Sequence, residues 1–239
     1  MERMRLDKFL GLCGCCSRAE AKKILRAGGV CVNGVVQTSA EYKICPDTDR
    51  IVFCGRPLVY RKYVYIIMNK PQGVVSATED GRDKTVLDLL PEEVRRAGLF
   101  PCGRLDKNTV GLILITDNGD LGHKLLAPKS HVEKEYRFRS ARAVSDVDVA
   151  QLESGVTLDD GYETKPAKLQ LEDGGDRGII TLTEGKYHQI KRMFEARDNK
   201  IVELERIRFG PLSLKGIPNR GDWRYLTDDE IATLERHGS

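Results

Sequence analysis

GRLDKNTVGLILIT, residues 103–116, places a lone carboxylate, Asp106, between the cations Arg104 and Lys107 and runs directly into a Leu/Ile-rich segment. No His, Cys or second acid lies within three residues of Asp106. GLILIT reads as a strand, and DNG at 117–119 as a turn that opens a helix. Working outward, VYIIMNK (64–70) is a strand closed by the turn PQG, and EKEYRFR (133–139) alternates like a half-exposed strand. Leu87–Ala97 reads as helical, with Pro91 opening its second part. SDVDVAQLESG (145–155) and TDDEIATLERH (227–237) are capped helices, and LDDG and EDGGDRG are turns between strands. KYHQIKRMFEARDN (186–199) sets Tyr187, Ile190 and Phe194 at helical spacing. Strands and helices alternate here without a βαβ period. This order predicts an α+β domain over residues 61–239, built on a large, mostly antiparallel mixed sheet with flanking helices.

The chain has 239 residues, 40% of them hydrophobic and 31% charged, which is enough to bury a core. No apolar run approaches the roughly 20 residues that cross a bilayer. The start, MERMRLDKFLGLCGCC, carries Glu2 and Asp7 in an amphipathic pattern unlike a secretory signal. The expectation is a cytoplasmic monomer with no membrane partner. Six of the seven cysteines (Cys13, Cys15, Cys16, Cys31, Cys45, Cys54) precede residue 60 without the paired spacing of a disulfide framework, so reduced thiols are expected. Cys13 and Cys16 form one CxxC, but a zinc site needs a second pair or a His cluster. His123, His131, His188 and His237 have no ligand spacing between them, and His188 reads as structural. There is no GxxxxGK, GxGxxG, HExxH or GxSxG, so neither a cofactor nor a metal is expected.

Charge is distributed unevenly. Residues 1–62 hold 12 Lys/Arg against 6 Asp/Glu, net +6, which leaves 27 against 30, net −3, for the remainder. Leu6, Phe9, Leu10 and Cys13 recur at helical spacing, and Ser17 with Glu20 forms a capping box for a second helix. That helix sets Ala21, Ile24 and Leu25 on one face and Arg18, Lys22, Lys23 and Arg26 largely on the other, and it stops at Gly28-Gly29. VCVNGVVQ then reads as a hairpin turning at Asn33-Gly34, and DTDRIVFCGRPL adds another strand and turn. A small basic unit on a near-neutral body suits a polyanion partner.

With RLDKFL, SRAEA and VNG in their places, residues 4–60 closely resemble the S-four RNA-binding domain, a small α/β module expected as a domain over residues 1–60. The resemblance implies RNA contacts from Arg5, Lys8, Ser17, Arg18, Lys22, Lys23, Arg26 and Asn33. Gly29 stands where many members carry a basic residue. GRLD followed by T-x-G, together with KEY (134–136), QIKRM (189–193) and NKPQG (69–73), resembles the pseudouridine synthases. Within them, the small-subunit ribosomal branch carries an S-four domain at its N-terminus. The catalytic residues this implies are Asp106, Tyr136 and Lys191, the last pairing with Asp106 as a buried partner. Arg104 would fill the stack vacated by the target nucleotide, Ile190 would lie against the flipped base, and Gly103 and Leu105 would complete the substrate loop. Asn69, Lys70 and Gly73 read as a turn under the pocket floor. Asn108 replaces an acid usual in the family.

The chemistry implied is an isomerisation. The bond from ribose to the base nitrogen breaks, the base rotates, and the sugar rejoins a base carbon, so no cofactor is consumed. Uracil tolerates the leaving charge, which removes the need for the second carboxyl group used by glycosidases. One ionised aspartate, acting on the sugar as nucleophile or base, is then enough if a cation keeps it charged.

Each residue also has a plainer reading. Asp106 could cap a turn, Tyr136 could be an ordinary strand tyrosine, Ile190 core, and Lys191 and Arg192 a solvated face. The expected partner is ribosomal RNA, 16S because KYHQIKRMF favours the small-subunit branch, or an assembly intermediate of that subunit. The alternatives are action on 23S RNA, a non-catalytic RNA-binding or assembly protein, and a DNA-binding regulator.

Overall fold

A capping box fixes the first helix pair. Ser17 Oγ accepts from Glu20 N at 3.3 Å, and the Glu20 carboxylate accepts from Ser17 N at 2.8 Å. Helix α2 (Arg18–Arg26) therefore begins shortly after α1 (Leu6–Leu12) ends. Strand β1 (Met4–Arg5) precedes α1 and pairs with β4 (Lys43–Ile44). The Asn33-Gly34 turn, with φ of 50° and 83°, joins β2 (Val30–Val32) to β3 (Val35–Val36). A second such turn at Cys54-Gly55 joins β5 (Ile51–Phe53) to β6 (Arg56–Leu58). Leu6, Phe9, Leu10, Ala21 and Leu25 close a core against Val30, Val32, Ile44 and Ile51. The Gly29 departure has a packing cause, because a β-carbon there would sit 2.7 Å from the Ile24 side chain.

The computed structural model describes residues 3–13, 15–46, 48–58, 62–95, 97–127 and 130–237. It divides the chain into two units, Met1–Tyr63 and Val64–Ser239. The Val59–Arg61 part of the VYRKY linker lies outside the described residues.

The second unit is α+β. In chain order its described elements are β7 (Tyr65–Lys70), β8 (Phe100–Cys102), β9 (Val110–Thr116), α3 (Gly119–Leu126), β10 (Lys134–Ser140), α4 (Asp146–Ser154), β11 (Lys168–Leu171), β12 (Arg177–Leu182), α5 (Gln189–Glu195), β13 (Ile201–Phe209), β14 (Leu212–Ser213), β15 (Trp223–Tyr225) and α6 (Asp228–His237). The sheet runs β11-β12-β10-β13-β9-β7-β15, with β14 on β13 and β8 on β9. Among the described strands of this sheet, only β9 and β13 pair in parallel, at Val110–Gly111 against Glu205–Arg206. Gly111 is required there: its φ is +102°, and a β-carbon would overlap the Arg206 carbonyl oxygen. Strand β9 is buried from Gly111 to Thr116, and β10 alternates as its sequence does. Ile113, Ile115, Phe138 and Phe194 lie in one core, where each buried side chain contributes roughly 1.5–3 kcal/mol.

Two expectations are corrected. Leu87–Ala97 is not an α-helix; a 3-10 turn covers Leu87–Leu89 and Leu90 is extended at ψ 144°. Pro91 disfavours a helical conformation at Leu90 and lacks the N–H a continuing helix needs, so only a turn in which Arg95 N donates to Pro91 O at 3.2 Å follows. Tyr187 lies outside α5, which starts at Gln189.

Candidate active site

The loop carrying Asp106 is the junction of β8 and β9, and it is held from beneath by a lysine. Lys70, at the end of β7 and fully buried, donates through Nζ to the carbonyl oxygens of Asp106 (3.0 Å), Thr109 (2.9 Å) and Pro71 (3.2 Å). Burial pushes the Lys70 amine down to about 8. Gly73 N donates to Lys107 O at 2.9 Å, and Leu105 N donates to Ser76 Oγ at 3.0 Å. Leu105 packs into the core, and Thr109 N closes the turn on Asp106 O at 3.0 Å. Asn69 is clamped in turn, accepting from Arg220 Nη1 at 2.5 Å and donating to Ile217 O at 3.1 Å. NKPQG is thus the strand end and turn on which the aspartate loop rests. Asn108 is exposed in that loop.

Helix α5 brings the opposite charge. Lys191 Nζ donates to Asp106 Oδ2 at 2.5 Å. Each side chain is about a quarter exposed (24% and 26%), so the pair is partly open to water rather than fully buried as expected. Thr109 Oγ1 also approaches Oδ2, at 3.4 Å. The other oxygen, Oδ1, faces His188 Nε2 at 3.4 Å. His188 caps α5 in the left-handed region (φ 49°), a conformation that costs roughly 1–2 kcal/mol for a residue with a β-carbon. Its ring stacks on Tyr187, with centroids 3.8 Å apart and planes at 17°, and Tyr187 is 72% exposed. Arg192 anchors the same helix to Asp159 and Asp160, the latter at 2.7 Å. Gln189 Nε2 donates to Glu184 Oε1 at 2.6 Å and ties the loop ahead of the helix.

Gly103, Arg104, Leu105, Asp106, Tyr136, Ile190 and Lys191 all line one cleft of about 670 Å³. Tyr136 and Ile190 are buried in its wall, while Arg104 is exposed. The cleft therefore offers a carboxylate held by an ammonium, an apolar and an aromatic surface, and an exposed arginine two residues from the carboxylate. Sequence reading took His188 as structural and foresaw neither its place beside Asp106 nor the carbonyl contacts of Lys70. A clamp made through carbonyls leaves no pattern in side-chain letters, and nothing local marks His188 as left-handed.

The eight RNA-contact candidates all belong to the first unit, and their side chains are used differently. Arg5 is bound to Asp7 through Nε (3.0 Å) and Nη2 (2.9 Å). The Ser17 hydroxyl serves its cap, and the Asn33 amide binds Asp49 (2.9 Å) and Arg50 N (2.8 Å). Those three are occupied in shaping the module. Lys8, Arg18, Lys22, Lys23 and Arg26 are exposed. Among the described residues no helix is long and apolar enough to cross a membrane.

Comparison with known proteins places both units of the chain in known families. The family described as RNA pseudouridylate synthase matches residues 64–196, and the S4 domain matches residues 4–50. An uncharacterized RNA pseudouridine synthase of Bacillus subtilis (strain 168) is 45% identical over 234 residues, covering 97% of this chain and 98% of that protein. Ribosomal small subunit pseudouridine synthase A of Vibrio cholerae is 40% identical over 232 residues, covering 97% and 99%. A crystal structure of a pseudouridylate synthase aligns with TM-score 0.67 at 35% identity, over 97% of this chain and 99% of that one. With the S4 domain ahead of the synthase domain, the chain belongs to the RNA pseudouridylate synthase family.

Proposed function

We propose that this enzyme acts in the cytoplasm, as a monomer, on one uridine of 16S ribosomal RNA in the small subunit or its assembly intermediate, with Asp106 as the catalytic carboxylate. The observation that carries the assignment is the Asp106–Lys191 contact of 2.5 Å inside a cleft walled by Tyr136 and Ile190. Lys191 donates to Oδ2 and His188 Nε2 stands 3.4 Å from Oδ1, so the carboxylate is held in place at the wall where the ribose would lie. The target nucleotide leaves the stack, Arg104 fills the gap, and uracil lies between the Tyr136 ring and Ile190. Asp106 acts on the sugar and the N1–C1′ bond breaks: as nucleophile it forms an ester at C1′ that C5 later displaces, and as base it takes the C2′ proton and later returns it. Uracil then turns so that C5 bonds C1′; the C5 proton is lost, with the Tyr136 hydroxyl assisting, and N1 gains one. Gly103 and Leu105 hold the loop that meets the substrate.

The exposed cations Lys8, Arg18, Lys22, Lys23 and Arg26 supply backbone affinity for the RNA. The small-subunit preference is supported by the 39–41% identity to proteins named ribosomal small subunit pseudouridine synthase A, with coverage of 97% or more of both chains. Pseudouridine mapping across ribosomal RNA from a strain lacking the gene tests it. One missing site in 16S RNA, restored by the wild-type gene and not by Asp106→Asn, is the expected result. A loss confined to 23S RNA would move the target, and an unchanged map would overturn the assignment.

A further inference from the structure

Beside the catalytic cleft lies a second recess of about 200 Å³, sharing Gly103, Arg104 and Tyr136 with it. Its floor is the sheet face that carries Tyr136. Lys134 is two residues before Tyr136 on β10, and Arg206 on β13 is the cross-strand partner of Tyr136, so all three side chains share that face. Arg206 is 2% exposed and Lys134 is 9% exposed. Both cations lie over one ring, Phe209, at 5.3 Å and 5.7 Å from its centroid.

Two buried cations this close would ordinarily share a carboxylate. Among the described residues neither has an ion-pair partner. Arg206 Nε donates to Leu112 O at 2.7 Å, but Nη2 is buried with no acceptor. Lys134 Nζ donates to Val132 O at 2.7 Å. Glu184, the one carboxylate among the residues lining the recess, accepts from Tyr162 OH (2.7 Å), Lys165 N (2.9 Å) and Gln189 Nε2 (2.6 Å). Lys165 and Arg104 add further positive charge at the walls. Burial, reinforced by the Arg206 charge, pushes the Lys134 amine down to about 8, which leaves it mostly protonated at neutral pH. The recess therefore holds several cations against the one carboxylate of Glu184, whose oxygens are already taken by neutral donors, and the buried Arg206 Nη2 has no acceptor.

We propose that this recess seats a backbone phosphate of the RNA adjoining the flipped uridine, held by Arg206 and Lys134. The inference rests on the cleft being the uridine site, because only then does the substrate carry a phosphate to the shared wall. The bound phosphate accepts from the unpaired guanidinium nitrogens and balances both cations. It also limits where the ribose can lie relative to Asp106, since only a few rotatable bonds separate a phosphate from the ribose it esterifies.

The test uses the full-length protein and ribosomal RNA at a series of salt concentrations. In Lys134→Met, affinity is expected to fall about tenfold, the loss of one charge-assisted hydrogen bond. The slope of log affinity against log salt should become shallower by about one unit, the signature of a lost phosphate contact. Inorganic phosphate at constant ionic strength should compete with RNA more strongly for wild type than for the variant. If Lys134→Met does not fold, Lys134→Gln, which keeps a donor for Val132 O, takes its place. A folded variant with unchanged affinity and slope overturns the inference, as does phosphate that binds without weakening RNA. A wild type that forms no pseudouridine defeats the reading of the cleft instead, and the salt slope still judges the recess.

Discussion

Lysine and arginine serve opposite ends in the two units. On α2, Lys22, Lys23 and Arg26 stand exposed on a helix whose other face holds Ala21 and Leu25 in the core. In the synthase unit, Lys70 is spent on three carbonyl oxygens, Lys191 on one carboxylate, and Arg206 on the Leu112 carbonyl. Exposed cations keep their hydration and meet RNA through a screened, exchangeable attraction. Cations bound within the fold are wholly or largely cut off from water and act only where their few partners are, so they set geometry. Apart from the proposed phosphate recess, affinity and rate should therefore separate along the chain.

The largest break in that comparison is Asp106→Asn. It should lower kcat on the order of a thousandfold or more while RNA affinity stays within about twofold, read by single-turnover pseudouridine formation and a binding titration. Gly111→Ala attacks geometry without touching a charged group. The overlap with Arg206 O and the unfavourable φ should cost about 3 kcal/mol or more in denaturant unfolding, and activity should fall with it.

Next comes Lys191→Met, expected to reduce kcat about a hundredfold and stability by only about 1 kcal/mol, because the pair is a quarter exposed. Combining Lys22→Ala, Lys23→Ala and Arg26→Ala should weaken RNA binding about tenfold and flatten its salt dependence by two to three units, with single-turnover rate at saturation unchanged. A drop in that rate would break the division between the units.

The smallest effect is a slope with pH. Lys70 has a folded value of about 8 against 10.5 for the free side chain, so between these the unfolded chain holds more protons. Stability contributed at this position therefore rises with pH, by at most roughly 1.4 kcal/mol per unit. Comparing wild type with Lys70→Met at pH 8 and pH 10 isolates it; a difference that shrinks with rising pH would contradict the assignment.

How far the letters could be read follows the range of the contacts. Ser17–Glu20, Asn33-Gly34, Ser145–Asp148 and the turn into α3 at Asn118 each close within three residues, and each is legible because the partners are neighbours. Asp106 and Lys191 lie 85 residues apart and came together in the reading only through family resemblance. The Arg206–Leu112 bond spans 94 residues and has no sequence signature at all. Leu87–Ala97 failed for the converse reason: its pattern looked helical, but the local effect of Pro91 outweighed the pattern. The positions of Lys134 and Arg206 needed the sheet register, and that of His188 needed the left-handed cap of α5.

The parallel contact at Gly111 also orders events during synthesis. Lys70 and Asp106 emerge from the ribosome early, whereas Lys191 and the β13 segment that docks on Gly111 follow about a hundred residues later. Until then the nascent chain has a carboxylate without its cation and a central strand without its parallel neighbour.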